Sequence, residues 1–128
     1  TFLVILIINK IIHMTGVFYK LVKSSSRIAI CSIYRGYYFL IYAVELAVRN
    51  EEYLLYITKE LYPDVAKHFH STSTRIERSL RTVITTCWNE GNRTLLDRIA
   101  GYELQRKPTT GEFITMLAYY VRNHKDEE

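Results

Sequence analysis

The stretch YPDVAKHFHSTSTRIERSLRTVITTCW, residues 62–88, decides how the rest of the chain is read. Pro63 cannot continue a helix from upstream, but it suits the first turn of a new one. Val65, Ala66 and Phe69 give a short helix, about Pro63 to Phe69, its apolar inner face. Ser71 and Thr72 offer N-caps for a longer helix over about Ser73 to Glu90. The inner stripe of that helix is Ile76, Leu80, Val83, Ile84 and Cys87 or Trp88, and Gly91 suits its C-terminal end. Two helices joined by so short a turn must cross steeply to share a core. Such a crossing favours a small residue on the first helix and a β-branched one on the second. Ala66 and, ten positions later, Ile76 answer that need. The spacing predicts a helix-turn-helix. His70 stands at the turn position often filled by glycine, and it enters the left-handed region less easily.

With Ile76 directed inward, Thr74, Arg78, Arg81 and Thr85 point outward, and Arg75 and Glu77 lie on the two flanks. Helix-turn-helix proteins present this N-terminal exposed half to base edges in the major groove. Arginine can bond bidentately to guanine O6 and N7, and glutamate can accept from cytosine N4. The hydroxyls of Ser71, Thr72, Ser73 and Thr74, with the helix N-terminal amides, suit phosphate oxygens. The plainer reading is a solvated face with Thr74–Arg78 and Glu77–Arg81 side-chain pairs. Glu77 and Arg81 stand at i,i+4 in the favourable order. That pair is compatible with DNA binding, because it would hold Arg81 toward the DNA backbone.

Working outward, Leu40, Val44, Ala47 and Val48 recur at helical spacing in Tyr37 to Arg49, and Asn50 breaks the pattern. A further helix is expected from Glu51 to Leu61, with Glu51 and Glu52 suited to its N-terminus. Downstream, a short helix is expected at Thr94 to Ala100, ended by Gly101. Thr109 and Glu112, following Pro108, stand at capping-box spacing before a last helix with Phe113, Met116, Leu117, Tyr120 and Val121 on its apolar face. The fold reads as all-α, a bundle of about six helices of the winged-helix-like DNA-binding type. Residues 1–35 form an apolar segment and a basic, serine-rich loop, Lys20 to Arg27. Residues 36–123 form the helix-turn-helix domain, and 124–128 a charged tail. Periodicity assigns neither Phe2 to His13 nor Ile28 to Ile33.

The chain has 128 residues, the size of one domain. With 48% apolar and 23% charged residues it has the mix of a globular protein, not of a disordered tail. Its net charge of +4 suits a nucleic-acid partner without proving one. Cys31 and Cys87 lack metal-type spacing and read as reduced thiols of a cytosolic protein. No metal site or cofactor motif is found, and the four histidines do not cluster. His68 and His70 read as turn and surface residues. The apolar run Phe2 to Ile8 is shorter than the roughly 20 residues of a membrane span. Lys10 follows that run instead of preceding it, unlike a signal peptide, so a buried first helix or a displaced start is expected. The chain begins with Thr1, as a fragment of a longer protein would. Tyrosine is abundant at 11 residues, and most are expected to line the core or its rim.

At Ile57 to Phe69 (ITKELYPDVAKHF) and Ser73 to Arg81 (STRIERSLR) the sequence resembles the C-terminal effector domain of the stage zero sporulation protein A family. Trp88, Gly91-Asn92, Gly101-Tyr102, Lys107 to Ile114 (KPTTGEFI), Arg35-Gly-Tyr37 and Leu40 fit the same resemblance, which covers about Gly36 to Arg122. The family comprises response-regulator transcription factors of endospore-forming Firmicutes. Its effector domain is an all-helical bundle that binds a short DNA box, often as a tandem dimer. The resemblance implies that Arg75, Glu77 and Arg78 contact bases and that Ser71, Ser73 and Arg81 lie near phosphates. It further implies a contact with RNA polymerase sigma factor through Trp88 to Ala100 and a dimer contact through Thr110 to Asn123. The family's receiver domain, with its phosphoacceptor aspartate, has no counterpart in residues 1–35. A complete chain of this kind could not be switched by phosphorylation in the family's manner.

Two functions follow as expectations. One is a sequence-specific transcriptional regulator that binds double-stranded DNA as a homodimer on tandem sites, is cytoplasmic and nucleoid-associated, and has no membrane contact. The other is a non-enzymatic interaction module that heterodimerises with a full-length family member. No motif supports an enzyme.

Overall fold

The computed structural model describes residues 27–90 and 93–124, without the side chains of 27–34 and 90. Every regular element among them is helical. In chain order they are α1 (Arg27–Arg49), α2 (Glu52–Leu55), a π-helical turn (Ile57–Leu61), α3 (Tyr62–His68), α4 (Ser73–Glu90), α5 (Arg93–Ala100) and α6 (Thr110–Asn123). This is the expected all-α bundle. The N-terminal apolar run, the break at Gly16, the serine-rich stretch through Ser26, the cap at Gly91 and the tail from Lys125 lie outside the described residues.

α1 is the central element, packing most extensively on α4 and α6. It buries Phe39, Leu40, Ala43, Val44 and Ala47, one stripe at helical spacing. It begins earlier than the expected Tyr37: Arg27, placed in the loop by sequence, opens the helix, and Ile28 to Ile33 are helical. Asn50 ends it as expected, and the Asn50 side chain accepts from the amide of Glu52 (3.0 Å), the first residue of α2.

The single helix expected from Glu51 to Leu61 is two pieces. Tyr56 leaves helical geometry at φ −132° and ψ 53°, and the next turn widens to π form. Both Glu60 N (2.8 Å) and Leu61 N (3.2 Å) donate to Tyr56 O. Pro63 supplies the physical reason: it has no amide for the carbonyl one α-turn back, and its ring crowds that carbonyl. A widened turn seats the ring and lets α3 start at Tyr62 with Pro63 in its first turn. The Tyr53 hydroxyl ties α2 to α3 by donating to the Asp64 carboxylate (2.5 Å), which pushes its pKa up to about 12.

The core joins Leu61 and Val65 with Ile76, Leu80 and Ile84 of α4, Leu96 of α5, and Phe113, Ile114 and Leu117 of α6. Cys87 is buried among them, and burial pushes its thiol up to about 12. α6 starts with the expected capping box: Glu112 N donates to Thr109 Oγ1 (3.2 Å), and Thr109 N to the Glu112 carboxylate (3.2 Å). At its other end Arg122 pairs with Glu51 and donates to Val48 O (2.6 Å), closing α6 onto the end of α1. Tyr62 is buried, while Tyr38, Tyr56, Tyr102 and Tyr119 are about half exposed or more, so the tyrosines serve the rim more than the interior.

At Gly36 α1 passes close to the backbone of α4. A Cβ there would fall 2.7 Å from the carbonyl oxygen of Ser79 and on top of the Val83 side chain. Because Ser79 presents backbone, a larger residue cannot be relieved by a rotamer change. Alanine would add about 1 kcal/mol of helix propensity. Overpacking costs about 1–3 kcal/mol. Gly36→Ala should therefore destabilise the domain, and Gly36→Val should do so more strongly. Urea denaturation followed by circular dichroism reads this directly, and a raised midpoint for the alanine variant would refute the close crossing.

Candidate nucleic-acid interface

α3 ends in a Schellman motif. Ser71 N donates to Ala66 O (2.8 Å), and His70 N is directed at Lys67 O (3.4 Å). His70 occupies the left-handed position at φ 53°, the one described non-glycine residue with positive φ. The conformation that the sequence made awkward is thus adopted. Packing supports it: the neighbouring Phe69 ring stands edge-on to Phe39 at 4.9 Å, and His68 stacks on Tyr42 at 3.9 Å. Thr72 then caps α4. Its carbonyl accepts from Ile76 N (3.0 Å) and its Oγ1 from Arg75 N (3.3 Å). Ala66 and Ile76 are both buried at the α3–α4 contact, as the spacing required.

On α4, at about 100° per residue, the buried stripe centres opposite Arg78. Ile76, Leu80, Val83 and Cys87 are each at most 2% exposed. Arg75, Arg78 and Arg81 are exposed on the other side, with Thr74. Glu77 sits at the boundary and pairs with Arg81 at 2.6 Å, the i,i+4 contact expected from sequence. The Thr74–Arg78 pair does not form; the hydroxyls of Thr82 and Thr86 instead donate back to Arg78 O (3.1 Å) and Thr82 O (2.9 Å). Ser71 and Ser73 are half-buried at the turn, and Thr72 and Thr74 are exposed beside them. Four hydroxyls therefore surround the start of α4, where the first helical amides lack intrahelical acceptors.

The loop before α6 also reaches this side of the molecule. Lys107 Nζ donates to Thr85 Oγ1 (3.1 Å), 22 residues away in sequence. Lys107 and Arg81 line one cleft of about 380 Å³. Sequence reasoning did not place Lys107 near α4, because no local pattern signals a contact at that separation. Further along, the Arg93 guanidinium lies 3.2 Å from the centre of the Trp88 ring, and its Nε donates to Trp88 O (3.0 Å). Among the described residues, no cluster of three or more His, Cys, Asp or Glu could hold a metal ion, and no helix is long and apolar enough to cross a membrane.

The turn makes a backbone prediction independent of any ligand. His70 is exposed, so substitutions there act mainly through φ. A β-branched residue is a poor occupant of this region, and left-handed geometry costs ordinary residues about 1–2 kcal/mol. His70→Val should lower the thermal midpoint by several degrees, whereas His70→Gly should leave it near that of the parent chain. Equal midpoints for both variants in thermal melts would remove the claim.

The sequence matches the family described as "Sporulation initiation factor Spo0A C terminal" over residues 21–121. That match takes in every residue of the α3–α4 unit and the loop that carries Lys107. This family is a DNA-binding, not an enzymatic, one. The chain belongs to the family of sporulation initiation factor C-terminal domains and carries the DNA-binding domain of a sporulation regulator.

Proposed function

We propose that α3, the Phe69–Thr72 turn and α4 work as a helix-turn-helix and that α4 reads a short DNA site in the major groove. The observation that carries this reading is the division of α4. Its buried stripe faces α1 and α3, while its N-terminal arginines face solvent. In this reading Arg75 and Arg78 bond guanine edges and Glu77 accepts from a cytosine amino group. Ser71, Thr72, Ser73, Thr74 and Arg81 meet phosphates. The Thr72 hydroxyl already accepts from Arg75 N, and its own hydrogen stays free to donate to an oxygen. Arg81 gives up part of its exposed pair with Glu77. Exposed pairs of this kind are worth about 0–1 kcal/mol, so a phosphate can compete for the guanidinium.

Family membership supports an extension of the reading. The protein acts as a sequence-specific transcriptional regulator, bound as a homodimer on tandem sites through α6. The segment 88–100 offers a surface to RNA polymerase sigma factor. A nucleoid location follows from DNA binding.

Gel-shift titration against a duplex carrying the family's box, with a scrambled duplex as reference, tests the proposal. Arg78→Ala should weaken box binding by about 1–3 kcal/mol, roughly 5- to 150-fold, and reduce the preference for the box. Equal affinity of the parent chain for both duplexes would sink the base-reading role, as would an unchanged Arg78→Ala variant. Stable co-purification with a full-length family member, without any DNA binding, would favour a heterodimerising module instead.

A further inference from the structure

The geometry points to Lys107 as a phosphate-binding residue that extends the DNA interface from the loop before α6 to the far end of α4. The inference rests on the reading of α4 as the groove-entering helix, and three observations carry it.

The first is position. Thr85, to which Lys107 is bonded, follows Arg78 by seven residues. Seven steps of about 100° return to within about 20° of the starting direction, at a rise of about 10 Å. In azimuth Thr85 lies between Arg78 and Arg81. The ammonium therefore stands on the arginine side of α4, two turns beyond the proposed base readers. The major groove is about 12 Å wide. A cation displaced about 10 Å along the helix from a base-reading arginine reaches the lip of the groove, where the phosphates are. Lys107 and Arg81 also line the same cleft, which places both cations on one flank.

The second is charge. Lys107 is exposed, and its bond goes to a neutral hydroxyl. Among the described residues no carboxylate pairs with it, although Arg81 and the adjacent Arg106 are both paired with glutamates. Its positive charge remains available to an anion.

The third is rigidity. Arg106 grips Glu112 with two bonds of 3.1 Å, and Glu112 closes the capping box with Thr109. The Arg106 and Thr109 hydrogen bonds hold the Glu112 carboxyl below the usual carboxylate range. Pro108 is buried directly after Lys107. The lysine is thus set on a loop fixed on its C-terminal side, with Thr85 Oγ1 holding the ammonium. When a phosphate replaces that hydroxyl as acceptor, the Thr85 hydroxyl can donate to the same group.

Salt dependence isolates this role, because a merely structural lysine would not move it. Fluorescence anisotropy titrations of the full chain at several salt concentrations would compare Lys107→Ala, Lys107→Arg and Arg78→Ala on box and scrambled duplexes. Melting by circular dichroism would confirm that each variant folds. For Lys107→Ala the slope of log K against log salt should fall by about 0.9, with equal weakening on both duplexes and the box preference retained. Lys107→Arg should restore the slope. An unchanged slope for Lys107→Ala, on a duplex where Arg78→Ala loses its preference, would overturn the inference while leaving the base-reading role intact. If the parent chain binds both duplexes equally, base reading fails, and a slope lost at Lys107 still establishes the phosphate contact. A parent chain that binds neither duplex overturns both.

Discussion

The backbone of α1 lies against the backbone of α4 where Gly36 passes Ser79, and the aim of α4 depends on that crossing. A helix that offers side chains to a partner must be fixed in rotation as well as in position. On α4 the rotation is set by Ile76, Leu80, Val83, Ile84 and Cys87, all essentially removed from solvent. Full burial of a side chain of this type stabilises by about 1.5–3 kcal/mol. Turning the helix by one residue would expose part of that stripe and carry an arginine toward an interior in which, among the described residues, no polar or charged residue is buried. An unpaired charge cannot be accommodated there. The apolar contact thus determines where the arginines point, although none of them takes part in it.

The turn before α4 works by the same division of labour. His70 accepts a left-handed conformation that costs about 1–2 kcal/mol for an ordinary residue. The Schellman bond from Ser71 to Ala66, the Thr72 cap and the packing of Phe69 against Phe39 offset it. The angle between α3 and α4 is therefore held by backbone bonds and rings, not by surface charges. Among the described residues the one ion pair on the outer face, Glu77–Arg81, is exposed on both sides. It adds little to stability, so its partners can be re-paired without loosening the fold.

Much of this was legible from residues alone, and the reasons differ by element. α4 runs from Ser73 to Glu90 as expected, because hydroxyl caps at Ser71 and Thr72 and a sustained 3.6-residue stripe coincide there. The capping box of α6 was equally plain, since Thr109 and Glu112 carry the whole signal locally. The start of α1 was not legible. Ile28 to Ile33 has no polar face to set a period, and such a run suits strand and helix alike. The π turn at Ile57 to Leu61 was hidden because apolar spacing does not distinguish an i−4 bond from an i−5 one. The exposed face of α4 could be named from Ile76 outward, but narrowing it to Arg75, Glu77 and Arg78 needed the family resemblance. Lys107 escaped notice because its partner Thr85 belongs to a different helix, and tertiary structure alone brings the two together.

The cations around α4 fall into two kinds, and the difference bears on how an interface of this shape would bind. The side chains of Arg75 and Arg78 have no hydrogen-bond or ionic partner among the described residues, so both would lose rotamer freedom on meeting a base in the proposed reading. Arg81 and Lys107 are already engaged, by Glu77 and by Thr85. Long basic side chains carry about 2 kcal/mol of rotamer entropy, and a group held beforehand loses less of it on binding. Pre-placed cations suit phosphates, whose spacing along a duplex hardly varies with sequence. Unpartnered arginines would suit base edges, which differ from site to site and must be met by adjustment. The loop that fixes Lys107 and the pair that restrains Arg81 thus constrain one flank of α4, whereas the side chains of Arg75 and Arg78 make no such contact among the described residues. That contrast is what a helix needs if the DNA backbone is to set its register before its bases are tested.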